Sequence, residues 1–157
     1  MDLTSLYQQL ILDHYKHPIG AGLREPFEAE VHHVNPSCGD EITLRVHVTD
    51  AGIEDVSYDA KGCSISVAAT SVMADTVTGL GVEEAMSEYE TFKGVVADGT
   101  MTDDQAEELG DAAAFAGVAQ FPARVKCALL GWSAMRDAVS RVVSEAELNE
   151  HTTKENA

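Results

Sequence analysis

Leu3, Leu6, Tyr7, Leu10 and Ile11 recur every three or four positions and His14 extends the row, which predicts an amphipathic helix that stops before Pro18. Pro18, Gly20, Gly22 and Pro26 make the following segment a loop. The period then changes to two. Phe27, Ala29, Val31 and His33 alternate with polar neighbours, and after a turn at Asn35-Pro36-Ser37-Cys38-Gly39-Asp40 the alternation resumes with Ile42, Leu44, Val46 and Val48. Asp50-Ala51-Gly52 closes a hairpin onto a third strand carrying Val56, Tyr58 and Ala60, which Gly62 interrupts just before Cys63. Strands of this pattern bury one face and leave the other wet.

Helical spacing returns at Ser64, with Ile65, Ala68, Ala69, Val72, Met73 and Thr76 on one stripe and Gly79 or Gly81 as the stop. Cys63 is therefore expected where a strand becomes a helix. A further helix is expected over about Val82–Phe92, followed by a glycine-punctuated acidic stretch through Gly94, Gly99, Asp103, Asp104 and Gly110. Within it Thr102 and Gln105 have the spacing of a capping box, which starts a short helix. Pro122 suits the first turn of a long last helix with the stripe Val125, Ala128, Leu129, Trp132, Met135, Val139 and Val142. The expected architecture is a single α+β domain over residues 1–148, a small antiparallel sheet of about three strands with helices packed on one face, and a polar, frayed tail over 149–157.

A chain of 157 residues with 45% hydrophobic composition builds its core without disulfides or metal, so a metal here would serve function. No apolar run reaches the roughly 18 residues of a membrane span, and no membrane partner is expected. Ten Lys+Arg against 27 Asp+Glu give a formal charge of −17, which argues against nucleic acid as a partner. The start, Met1-Asp2-Leu3-Thr4, has neither the basic nor the apolar region of a secretory signal, so a cytoplasmic location is expected.

The candidate chemistry lies in three cysteines, Cys38, Cys63 and Cys127, an odd number that fits a reducing compartment and free thiols or metal ligands. Cys38 occupies a turn with Asp40 two residues on, and Cys63 opens a helix whose unpaired N–H groups favour a thiolate. Cys127 falls about 120° from the centre of the last helix's apolar stripe, which places it outside that helix's core. Three thiolates and the Asp40 carboxylate form a complete tetrahedral donor set for Zn²⁺. The residues alone leave other readings open: buried hydrophobic cysteines, a structural zinc module, or a Cys–His nucleophile using His32 or His33, which point to opposite faces of their strand. His14 and His17 read as packing or capping groups.

Asn35-Pro36-Ser37-Cys38-Gly39-Asp40, Gly62-Cys63-Ser64-Ile65-Ser66 and Arg124-Val125-Lys126-Cys127-Ala128-Leu129-Leu130 resemble, in order, the three cysteine motifs of the IscU-like iron–sulfur assembly superfamily, and Asp13-His14-Tyr15-Lys16-His17-Pro18 resembles its opening helix. The likeness runs from about Leu3 to Val143. Lys126 stands where scaffold-type members carry a His, Phe121-Pro122-Ala123-Arg124 stands where they carry a proline-rich chaperone-binding segment, and the stretch from Gly94 to Gly117 looks like the insertion of the SufU branch. The resemblance implies Zn²⁺ held by Cys38, Asp40, Cys63 and Cys127. It also implies sulfur taken from a SufS-type cysteine desulfurase, whose histidine replaces one thiolate on the metal, and passed to a downstream iron–sulfur scaffold. Its alternative is a scaffold or carrier that assembles an iron–sulfur cluster on the same cysteines. If the chain is an enzyme, it is a zinc-dependent sulfurtransferase acting with the desulfurase. Three thiolates, one carboxylate and Zn²⁺ sum to −4 + 2 = −2, so a cation beside the site would steady an anionic persulfide. Arg124, one turn before Cys127, is the candidate, and Cys38 is the expected sulfur acceptor.

Overall fold

The computed structural model describes residues 4–146 in full, and beyond them only the extent of the two terminal helices. The expected frayed tail over 149–157 lies outside the fully described residues. The order of elements is α1 (Leu3–Lys16), β1 (Ala29–Asn35), β2 (Asp40–Thr49), β3 (Gly52–Lys61), α2 (Ser64–Val77), α3 (Val82–Asp98), α4 (Asp103–Leu109), a 3₁₀ segment (Gly110–Gln120) and α5 (Pro122–Asn156).

The period-two segments pair as an antiparallel sheet in the order β1-β2-β3, in a register that sets Val31 opposite Leu44 and Leu44 opposite Tyr58. Val31, Ile42, Leu44, Val46, Val56 and Tyr58 are buried against the helices. On the wet face charges pair instead, with Arg45 Nε 2.9 Å from Glu30 Oε1. The same face carries Arg24 Nη2 2.9 Å from Asp55 Oδ1. The α+β architecture with helices on one face is as the alternation predicts.

Polar bonds fasten α1 to this frame. His14 Nδ1 is 2.7 Å from Ser71 Oγ on α2, and the same oxygen accepts the Ile19 N–H at 2.8 Å. Tyr58 O–H donates to the Ile19 carbonyl at 2.6 Å. His14 is thus a packing group, as its place on the helix predicts.

Three features differ from the sequence reading. Helix α3 does not end near Phe92 but runs to Asp98. Val95 and Val96 continue its buried stripe while Gly94 sits on the exposed side, where it costs helix propensity without stopping the helix. The stop is Gly99 in the left-handed conformation, φ +74°. The acidic stretch also hides a piece of core. The capping box forms, with Gln105 N–H donating to Thr102 Oγ1 at 3.1 Å and Thr102 N–H donating to Gln105 Oε1 at 2.9 Å, and then Ala112, Ala113, Ala114, Phe115 and Val118 are buried. Finally, Cys127 is buried at 1% exposure rather than standing outside the core. Helix α5 packs against β1, β2, α2, α3 and the 3₁₀ segment, so it is covered on more than one side and one stripe underdescribes it. At its centre Trp132 stacks on Phe92 with ring centroids 4.3 Å apart.

Glu88 on α3 is 8% exposed with Oε2 unpartnered. Burial, reinforced by Glu108, pushes its carboxyl up to about 7. A carboxyl whose folded pKa is raised stabilises the fold fully below its ordinary value near 4.5, and that contribution is lost as pH rises through about 7. Nearby solvent screens part of the effect, so E88Q is expected to be more stable than the parent by about 1–2 kcal/mol at pH 8 and indistinguishable from it at pH 4. Urea unfolding at the two pH values checks this, and a difference independent of pH would contradict it.

Candidate metal centre

The site forms at one end of the sheet, where three segments meet. The β1–β2 turn carries Cys38 at its exposed tip, and Gly39 at φ +75° supplies the left-handed residue that closes it. Asp40, the first residue of β2, points under the helices and is 2% exposed. Cys63 is the N-cap of α2 with extended backbone, φ −71° and ψ 169°, which is the predicted strand-to-helix junction. Cys127 lies in the second turn of α5, where its thiol donates to the Ala123 carbonyl at 3.7 Å.

These residues converge. Cys38 Sγ and Cys127 Sγ are 3.5 Å apart, and donor atoms of Cys38, Asp40 and Cys127 all lie within 4.8 Å of one another. Cys63 joins through Asp40: its backbone N–H donates to Oδ1 at 3.1 Å and its thiol to Oδ2 at 3.7 Å. Gly62 makes that approach possible, because a Cβ there would stand 2.6 Å from Asp40 Oδ1. Sequence reading treats Gly62 only as a strand interruption; a glycine beside a candidate ligand is the signal that a backbone comes close.

Burial pushes the Asp40 carboxyl up, but hydrogen bonds from the Cys38 and Cys127 thiols and from Cys63 outweigh it and hold the group below the usual carboxylate range. Burial pushes the Cys127 thiol well above its ordinary value, and the neighbouring Asp40, Cys38 and Cys63 add to the shift. The Cys127 thiol is therefore held protonated beside a charged carboxylate. A soft divalent cation bound here would displace its proton. The donor set fits zinc, which takes Cys sulfur and Asp oxygen among its ligands and is four-coordinate in closed sites.

The histidines stand apart. His33 Nε2 is 2.8 Å from Asp137 Oδ2 on α5, His32 Nδ1 is 2.9 Å from Thr43 Oγ1 on the wet face, and neither belongs to the cysteine group. The Cys–His nucleophile reading has no histidine in place among the described residues. Arg124 is exposed and makes no ion pair among the described residues. It lines a groove of about 770 Å³ with Ser64, Ile65, Phe121 and residues of α1 and the 3₁₀ segment. Phe121 at its rim is 61% exposed. The groove ends beside the cysteines, since Ser64 follows Cys63 and Arg124 precedes Cys127 by one turn.

An α+β domain that gathers three thiols and a buried carboxylate from distant segments offers a thiol–carboxylate group that could hold a metal ion. The chain matches the family described as NifU-like N terminal domain over residues 6–128, and it belongs to that family. It is 38% identical over 153 residues to the iron–sulfur cluster assembly scaffold protein IscU of Streptococcus pyogenes serotype M1, covering 98% of this chain and 94% of that protein. It is also 38% identical over 141 residues to the zinc-dependent sulfurtransferase SufU of Bacillus subtilis strain 168, covering 89% and 93%. The solved structure of FiSufU from Fervidobacterium islandicum AW-1 superposes with a TM-score of 0.74 at 31% identity, covering 88% of this chain and 99% of that one. No helix among the described residues is long and apolar enough to cross a membrane.

Proposed function

We propose that the chain is a zinc-dependent sulfur acceptor that takes sulfur from the persulfide of a SufS-type cysteine desulfurase and hands it on for iron–sulfur cluster assembly. The observation that carries this reading is the asymmetry of the donor set. Cys38 is exposed on a turn, while its neighbour 3.5 Å away, Cys127, is buried in a helix. Asp40, Cys63 and Cys127 are fixed by packed structure and hold the zinc; Cys38 is the arm that reaches out. Surface turns open at low free-energy cost. Zinc, when bound, keeps the thiols deprotonated at neutral pH.

The transfer is a thiol–persulfide exchange. The Cys38 thiolate attacks the outer sulfur of the donor persulfide, the donor's S–S bond breaks as a new one forms on Cys38, and the donor cysteine leaves as thiolate. No net oxidant is consumed. Arg124, exposed and in no ion pair among the described residues, supplies a cation one turn from Cys127 for the resulting anion. The desulfurase meets the face around the Cys38 turn, and the charge of −17 makes the encounter salt-sensitive when its docking face is basic.

A second reading, assembly or carriage of an iron–sulfur cluster on the same ligands, is favoured by the equal 38% identity to the streptococcal scaffold protein. Metal content after anaerobic purification separates the two. One zinc per chain in a colourless protein, together with faster alanine release from cysteine when the chain is added to its desulfurase, is the expected result. A coloured iron–sulfur species with no effect on alanine release would favour the scaffold.

A further inference from the structure

Among the described residues the side-chain atoms buried without a hydrogen-bond partner are Asn35 Nδ2, Glu88 Oε2 and Trp132 Nε1. Only Asn35 stands at the metal centre. Every acceptor it has is spent on the turn that carries Cys38. Its carbonyl accepts the Gly39 N–H at 2.9 Å and the Cys38 N–H at 3.4 Å. Its Oδ1 accepts the Ser37 N–H at 3.1 Å. That last bond fixes which end of the amide is oxygen, so the free group is a donor with two N–H bonds.

The strand register locates this donor. Asn35 is directly opposite Asp40, and opposed residues of an antiparallel pair project to one face with Cβ atoms about 4.5–5.5 Å apart. Both are on the helix-covered face, 7% and 2% exposed. The amide is therefore held out of water next to Asp40, the carboxylate to which the Cys63 thiol donates. Metal-bound thiolates accept N–H bonds readily, so a buried donor left idle next to Asp40 is available to such a group.

We propose that Asn35 is a positioning residue of the metal centre: its carbonyl and Oδ1 set the Cys38 turn, and its buried Nδ2–H is the donor available to the metal-bound sulfurs. This rests on the zinc reading above. An N–H bond to a metal-bound thiolate draws charge off a site that sums to −2, and groups of this kind change metal affinity 10–100-fold when removed.

Competition with a chromophoric chelator gives the zinc affinity of the full chain and of N35S and N35A. The serine hydroxyl keeps an acceptor for the Ser37 N–H, but its one O–H sits directly on Cβ, a bond short of the amide nitrogen, and does not replace that donor; alanine removes both. The expected result is 10–100-fold weaker zinc binding in N35S as well as N35A, with the metal-free melting temperature of N35S within about 3 °C of the parent. Loss in N35A alone would reduce Asn35 to a turn residue and overturn the proposal. N35T, whose hydroxyl also accepts and whose methyl refills space, carries the same expectation where N35S does not fold. In the cobalt-substituted protein the sulfur-to-cobalt absorption is expected to move to longer wavelength in N35S or N35T, and an unchanged band would also overturn it. A parent chain that binds neither metal would instead remove the zinc reading, and this proposal with it.

Discussion

Replacing Cys127 with alanine is expected to strip the protein of stably bound zinc while leaving it folded. Its sulfur is the buried member of the set, 1% exposed and 3.5 Å from Cys38 Sγ, and α5 holds it rigidly, so no neighbouring group can take its place. A first-contact ligand is worth more than the 10–100-fold typical of its supporting residues, and roughly a hundredfold or greater loss of affinity follows. The cost to the fold is on the order of 1 kcal/mol, because only one sulfur atom leaves a core that extends over α2, α3, α5 and the inner face of the sheet. Elemental analysis after dialysis against a chelator, paired with thermal unfolding of the metal-free forms, measures both. Retention of one zinc per chain in C127A would remove Cys127 from the ligand set.

C38S is expected to stay folded and to lose stimulation of the desulfurase. The residue sits at an exposed turn tip, so the fold should not register the change, whereas stimulation of the desulfurase should fall to background, roughly a hundredfold or more, because the attacking atom is gone. Alanine release at saturating cysteine checks it. Stimulation that survives in C38S would move the acceptor role to another cysteine.

Much of the site was legible because its parts lie at changes of period. The switch from alternation to helical spacing at Gly62-Cys63 placed Cys63 at a helix start, and it is the N-cap of α2. The turn between two alternating strands placed Cys38 at a tip with Asp40 closing it, and Asp40 is the first residue of β2. Thr102 and Gln105 announced a cap that forms in both directions. What escaped depends on contacts between distant segments. The buried run Ala112 to Phe115 has no polar positions to give it a period, so nothing local distinguishes it from the acidic loop around it. The burial of Cys127 follows from neighbours on several sides of α5, which an angular stripe cannot register. His33 and Asp137, bonded at a separation of 104 residues, carry no signal in either segment alone. The idle amide of Asn35 is visible only once its register partner, Asp40, is known.

In the proposed transfer, sulfur arrives on the exposed arm of the site. The zinc-loaded chain, incubated with its desulfurase and cysteine, alkylated and digested, should carry one extra sulfur on the peptide containing Cys38, and C38S should carry none. Extra sulfur found only on the Cys127 peptide, or on no peptide of a chain that still speeds alanine release, would contradict it.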